Sequence, residues 1–174
     1  AVLCDTGVVV SESLRIGGDS FNEAIIQYVR RKKKLVIGPL TAEEIKISAG
    51  TVDRRSEERE VEIRGRDVIS GLPKIVTLHS LEIQRALESQ VMSILEAIKS
   101  ILEKTPPELV AAIGDHGIIL TGGGALISGL DRVISRSVGI AAYLVELPRY
   151  AVIKGVAKTL DEMSSVRDTL EYLQ

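Results

Sequence analysis

Apolar residues recur along this chain with a period that changes several times, and each change predicts an element. Ala1–Cys4 and Val8–Ile16 are two apolar-rich runs about a turn at Asp5-Thr6-Gly7, which predicts an opening β-hairpin. After Gly17-Gly18-Asp19-Ser20 the period lengthens. Phe21, Ala24, Ile25, Tyr28 and Val29 fall at the i, i+3, i+4 spacing of one helix face, with Asp19 a candidate N-cap. Gly38-Pro39 breaks that pattern. Thr41 with Glu44 has the form of a capping box for a short helix through Ile47, ended by Gly50. The stretch Thr51–Glu60 is polar. Glu60–Arg64 alternates as a half-buried strand, and Gly71-Leu72-Pro73 turns it into a second strand at Ile75–Leu78. The longest helix is expected over Ser80–Lys104, with a stripe of Leu87, Val91, Ile94, Leu95, Ile98, Ile101 and Leu102, stopped by Pro106-Pro107. A strand at Gly117–Thr121, a triple-glycine turn, a helix over Ala125–Ser137, a strand at Ile140–Val145 and a helix from Pro148 to Leu160 complete the pattern. Asp161–Gln174 reads as a further helix or a tail. Strands and helices alternating in this last third predict an α/β layer with crossover connections.

Composition narrows the classes. Of 174 residues, 45% are hydrophobic but only 3% aromatic, so the core is aliphatic and the stacking platforms of single-strand nucleic-acid binders are missing. A net charge of −2 gives no general pull toward nucleic acid, which sets the basic run Arg30-Arg31-Lys32-Lys33-Lys34 down as cations at the negative end of a helix dipole. The single Cys4 cannot form an intrachain disulfide, and no apolar run approaches the length of a transmembrane helix. The opening lacks the basic and apolar regions of a signal peptide, so a soluble cytoplasmic protein is expected. The chain opens without Met inside a strand pattern, which marks it as a fragment by this reading.

Three places could carry chemistry. Ile118–Thr121 feeds Gly122-Gly123-Gly124-Ala125, a glycine turn that opens a helix, where a ligand could lie against bare backbone and free N–H groups. A tight αβ turn alone would demand the same glycines. The run is neither a phosphate-binding Walker loop nor a dinucleotide fingerprint, because no Gly-Lys-Ser/Thr follows and Ile127 stands where a third spaced glycine would be. In Glu43-Glu44-Ile45-Lys46, Glu43 and Lys46 share one helix face, either as a surface ion pair or as polar ligand contacts. Gly17 and Gly18 form the third place, with helix capping as the plainer role. His79 and His116 have no metal-ligand spacing with Cys4 or the carboxylates.

Taken together, Ser13-Leu-Arg-Ile-Gly-Gly-Asp19, Thr41-Ala-Glu-Glu-Ile-Lys46, Glu62-Ile-Arg-Gly-Arg-Asp67, Gly71-Leu-Pro73, Thr105-Pro-Pro-Glu-Leu109 and Gly117–Ala125 resemble the MreB/Mbl family of bacterial actin-like cell-shape proteins, in that order and spacing, to about Met163. The resemblance implies an actin-like α/β ATPase fold of which this chain is the second lobe. Residues 1–40 and 105–163 would form the larger subdomain, IIA, residues 41–104 mainly the smaller, IIB, and 164–174 a tail. It implies ATP with Mg2+ as ligand, bound on the adenosine side by Glu43, Glu44, Ile45, Lys46, Gly122, Gly123, Gly124 and Ala125, with Gly17 and Gly18 near the cleft. The family's first lobe, with its phosphate loop, catalytic acid and membrane-binding segment, has no counterpart here, so no catalytic residue is assigned and ATP hydrolysis by this chain alone is not expected. Implied partners are further copies in a filament and the cell-wall elongation machinery at the inner membrane face, in a cytoplasmic, membrane-associated protein that does not bind nucleic acid. A nucleotide-independent interaction module or filament-end cap is the alternative. Ala157 departs from the family, which usually has a second glycine after Gly155; that bears on the hinge between lobes.

Overall fold

A computed structural model of the chain describes residues 1–5 and 7–161; Thr6 of the expected turn and the expected element beyond Asp161 lie outside the described residues. Strands β1 (Val2–Cys4) and β2 (Gly7–Val10) pair antiparallel as the expected hairpin. β2 ends six residues before Ile16, the expected limit, because Ser11-Glu12-Ser13 breaks the apolar run and the chain continues irregularly to the next helix.

That helix, α1 (Gly18–Lys32), buries Phe21, Asn22, Ile25 and Val29 on one face. Gly17, not Asp19, is its N-cap; Asp19 sits inside the first turn, where its charge still suits the helix dipole. Of the basic run, Arg30, Arg31 and Lys32 occupy the last turn, and Lys33 pairs with Glu82 at 2.9 Å. The chain then enters β3 (Leu35–Val36), a two-residue strand too short for a periodicity to reveal. α2 (Pro39–Ala49) starts earlier than the Thr41–Glu44 box predicts. Its N-cap is Gly38 and Pro39 opens the first turn, where a fixed φ and a missing N–H do no harm.

β4 (Glu60–Asp67) and β5 (Pro73–His79) form an antiparallel hairpin, and β3 adds to the outer edge of β4, giving the order β3-β4-β5. Both hairpin strands run longer than expected, since cross-strand pairing carries Arg66 and Pro73 into the ladder despite their polarity and ring. β3 lies on the 1–40 side of the expected subdomain boundary yet pairs with β4 on the other. α3 (Ser80–Lys104) spans the expected length and buries Ile83, Leu87, Val91 and Leu95, one turn nearer its start than the expected stripe. Pro106-Pro107 does stop it, and Pro107 then opens α4 (Pro107–His116), a helix the sequence reading passed over.

In the last third, β6 (Ile118–Leu120) and β7 (Ala142–Leu144) pair in parallel, joined by the crossover helix α5 (Leu130–Val138). The expected helix over Ala125–Ser137 is in fact two pieces. A 3-10 turn covers Gly123–Leu126, then Gly129 takes a left-handed φ of +85° before α5 begins. The interruption has a cause: Ser128 bridges Thr51, accepting Val52 N–H at 3.0 Å and the Thr51 hydroxyl at 3.2 Å, so the chain must leave helical geometry there. A second 3-10 turn at Pro148–Tyr150 leads into α6 (Ala151–Asp161).

One aliphatic cluster joins these parts. Ile25 and Val29 of α1, Leu35, Ile45 of α2, Ile63, Leu78, Ile83 and Leu87 of α3, and Leu130 and Ile134 of α5 all belong to it. It packs α1 against α2, and these two helices carry the polar residues described next. Among the described residues, no helix is long and apolar enough to cross a membrane.

Candidate functional site

α1 and α2 pack side by side, and this brings Gly18, at the start of α1, against the one-sided polar face of α2. Lys46 Nζ donates to the Gly18 carbonyl at 3.3 Å and to Glu43 Oε2 at 2.6 Å. The Lys46 side chain is 12% exposed and that of Glu43 40%, so the ammonium is sheltered while the carboxylate keeps an open side. Asn22 of α1 donates its amide to the same Glu43 Oε2 at 2.8 Å. With Oε2 twice engaged, Oε1 is the acceptor left free among the described residues. Lys46, then Asn22, hold the Glu43 carboxyl below the usual range, with a further contribution from Arg149.

Arg149 ties this pair to the glycine loop. Its Cγ and Nε lie 3.8 Å from where a Cβ on Gly123 would sit, and its own turn is anchored by Gly122 N–H donating to Pro148 C=O at 2.9 Å. Gly122 has φ +85°, a conformation that favours glycine, and a Cβ at Gly122 or Gly124 would have no neighbour within 4 Å. The N–H groups of Gly123 and Gly124 find no acceptor among the described residues, while Ala125 N–H returns to Gly122 C=O at 3.3 Å. The loop thus presents bare backbone and unused donors beside a cation.

The expected site residues therefore divide. Lys46 joins Glu43 to Gly18, and Gly123 of the Gly122-Gly123-Gly124-Ala125 turn sits next to Arg149, whose charge Glu43 feels. Gly17 contributes as the extended N-cap of α1, its N–H turned to the Ser20 hydroxyl. Ile45 is 1% exposed and part of the core, so only its backbone is open to a ligand role. Glu44 is exposed and makes no ion pair among the described residues. Two neighbours escaped the sequence reading. Asn22 is 8% exposed and its Oδ1 has no hydrogen-bond partner among the described residues; a polar residue among Phe21 and Ile25 on an otherwise apolar face was the available signal. Arg149 had none, because its position depends on the loop across from it. An open carboxylate oxygen next to a sheltered ammonium fits a polar ligand with hydroxyl groups. Among the described residues no group of three or more His, Cys, Asp or Glu side chains is placed to hold a metal ion.

The role of Asn22 is testable without a ligand. Asn22→Asp removes a donor to Glu43 and sets a like charge against it, so the Glu43 titration should move up, toward or beyond the ordinary glutamate range. Carboxyl-carbon NMR across a pH series reads this directly, and an unmoved Glu43 would disprove the link.

The fold is that of the actin-like proteins. The match to solved structures agrees: MreB5 of Spiroplasma citri bound to ADP superposes with a TM-score of 0.87 at 32% identity, over 92% of this chain and 49% of that one. The MamK double helical filament follows at a TM-score of 0.71 and 23% identity, which speaks for the fold alone. The chain belongs to the MreB/Mbl family, whose model, MreB/Mbl protein, matches residues 1–168. It is 42% identical to the cell shape-determining protein Mbl of Bacillus subtilis (strain 168) over 166 residues, covering 95% of this chain and 50% of that protein. It is 45% identical to the cell shape-determining protein MreB of Escherichia coli (strain K12) over 161 residues, covering 92% of this chain and 46% of that one. The chain thus spans about half the length of the curated relatives it matches.

Proposed function

We propose that this chain supplies the adenosine-binding half of an ATP-dependent, actin-like filament protein that controls rod cell shape and cell-wall synthesis. The observation that carries the reading is the convergence of Glu43, Lys46 and Gly18 with Arg149 and the open Gly122–Gly124 backbone. Glu43 Oε1 offers an acceptor for a ribose hydroxyl, and the loop offers a flat surface for the rest of the nucleoside. The S. citri MreB5 structures, bound to ADP and to AMPPNP, support nucleotide as the ligand class.

Self-association belongs to the same reading, as does work with the cell-wall elongation machinery at the inner face of the membrane. The division into a larger subdomain of residues 1–40 and 105–163 and a smaller one made mainly of 41–104 belongs to this reading too. Leu3, Val8, Ile119, Tyr143, Leu144, Val152 and Ile153 are exposed large apolar groups on β1, β2, β6, β7 and α6. Such a surface is suited to burial against further protein.

Calorimetry with ATP and magnesium tests the nucleotide reading. Saturable binding is expected, weakened about tenfold or more by Glu43→Ala or Lys46→Ala, the usual worth of a charge-assisted hydrogen bond. Absence of binding up to millimolar ATP, in a chain shown folded by circular dichroism, would overturn it and leave the interaction-module alternative, which co-sedimentation with family filaments would then examine.

A further inference from the structure

We infer that the cavity between α3, α5 and the segment following α2 is a second ligand site, separate from the glycine loop, for a small carboxylic acid with an aliphatic or aromatic body. The cavity holds about 280 Å³, near the lower end of small-molecule sites. Val91, Met92 and Leu95 of α3 and Val133 of α5 supply an apolar wall.

Its polar groups are not all spoken for. Asp53 is saturated by Arg132 and Arg136, and Glu88 is held by Arg54 at 2.7 Å, so neither carboxylate invites a cation. The Arg55 side chain, by contrast, has no ion-pair partner or hydrogen bond among the described residues. Gln84 is 7% exposed, lines the cavity, and its amide makes no hydrogen bond among the described residues. The Gln84 amide keeps its solvent contact and is free to donate to a ligand, and a guanidinium without a counter-ion attracts an anion. A monocarboxylate answers both, taking donors from Arg55 and Gln84 while its body lies on Val91, Met92, Leu95 and Val133. A polyphosphate does not fit, because the walls are mainly apolar and one cation alone is free.

The test uses the chain carrying 13C-labelled methyl groups, with hexanoate as probe and hexylammonium as its charge-reversed match. Met92 is one of two methionines, so its ε-methyl signal is readily assigned. Hexanoate should move that signal saturably together with the Val91, Leu95 and Val133 methyls, and hexylammonium should leave them in place. Arg55→Gln, an exposed side chain whose replacement leaves the core untouched, should weaken hexanoate about tenfold, the worth of one charge-assisted contact. Gln84→Leu should weaken it as well. Equal shifts from both probes, an unmoved Met92 methyl, or unchanged affinity in Arg55→Gln would each overturn the site.

Discussion

Asp53→Ala should lower the stability of the chain by about 2–4 kcal/mol, the range expected when one partner of a buried ion pair is removed and the others can partly rehydrate. Asp53 is 1% exposed, yet it is charged and comes from a polar stretch of sequence. Arg136 grips it with two bonds, at 3.1 and 2.6 Å, Arg132 adds one at 2.9 Å, and the Arg55 N–H donates a fourth at 3.1 Å. Arg132 also reaches the Ser56 hydroxyl at 3.0 Å, so the clamp fastens the whole turn after α2 to α5. The two guanidinium side chains remain 52% and 41% exposed, which is why the expected loss falls short of that for a fully buried triad. For a chain of this size the melting temperature should drop by about 5–15 °C, readable by calorimetry or circular dichroism. An unchanged melting point would show the clamp to be a bystander.

The same carboxylate gives the loss a pH signature. Arg136 above all, then Arg132 and the Arg55 N–H, hold Asp53 well below the usual carboxylate range, against the upward pull of its burial. The folded chain therefore binds this proton more weakly than the unfolded chain does. The clamp's contribution is full above the unfolded pKa of about 3.9 and is lost as the pH falls from there toward the folded value. Wild-type stability should fall more steeply on acidification below about pH 4 than that of Asp53→Ala, and the two should converge in acid.

Gly129→Ala should be of similar size, about 2–4 kcal/mol, from the left-handed backbone and the overlap combined. Gly129 has φ +85°, and a Cβ there would stand 2.5 Å from Asp53 Cβ and 3.2 Å from an Arg132 nitrogen. The methyl group cannot be accommodated without moving the turn that holds the clamp. Because both substitutions strike one joint, their effects should not add. Gly129→Ala should do less harm once Asp53→Ala has freed the turn to shift, and a double-mutant cycle in urea measures that coupling.

The site was legible in the sequence where it rests on local chemistry. Glu43 and Lys46 are three residues apart on a helix, so their pairing is set by helix geometry wherever the helix goes. Gly122-Gly123-Gly124 announces an open turn for the same kind of reason. Asn22 and Arg149 stayed hidden because each acts through a residue 21 positions away or across a loop, and no period links such pairs. Asp53 is the clearest instance. Its sequence setting reads as a solvated loop, and only partners 79 and 83 residues distant make it the most tightly held carboxylate of its region.

The elements divide on the same line. Long periodic runs, α1 and α3 above all, were determined by the sequence itself, since an apolar face of four turns has one economical conformation. The β4–β5 hairpin was also legible from alternation and its Gly71 turn. Tertiary structure alone decided β3, which exists because β4 offers an edge to Leu35–Val36, and the split of the Ala125–Ser137 run, which breaks because Ser128 must bridge Thr51. It also decided that Lys46 of α2 reaches the Gly18 carbonyl at the start of α1 and that Arg149 lies against Gly123. Local propensity acts over one or two turns of chain; a hydrogen bond to a distant segment outweighs it wherever a buried backbone group would otherwise go unpaired.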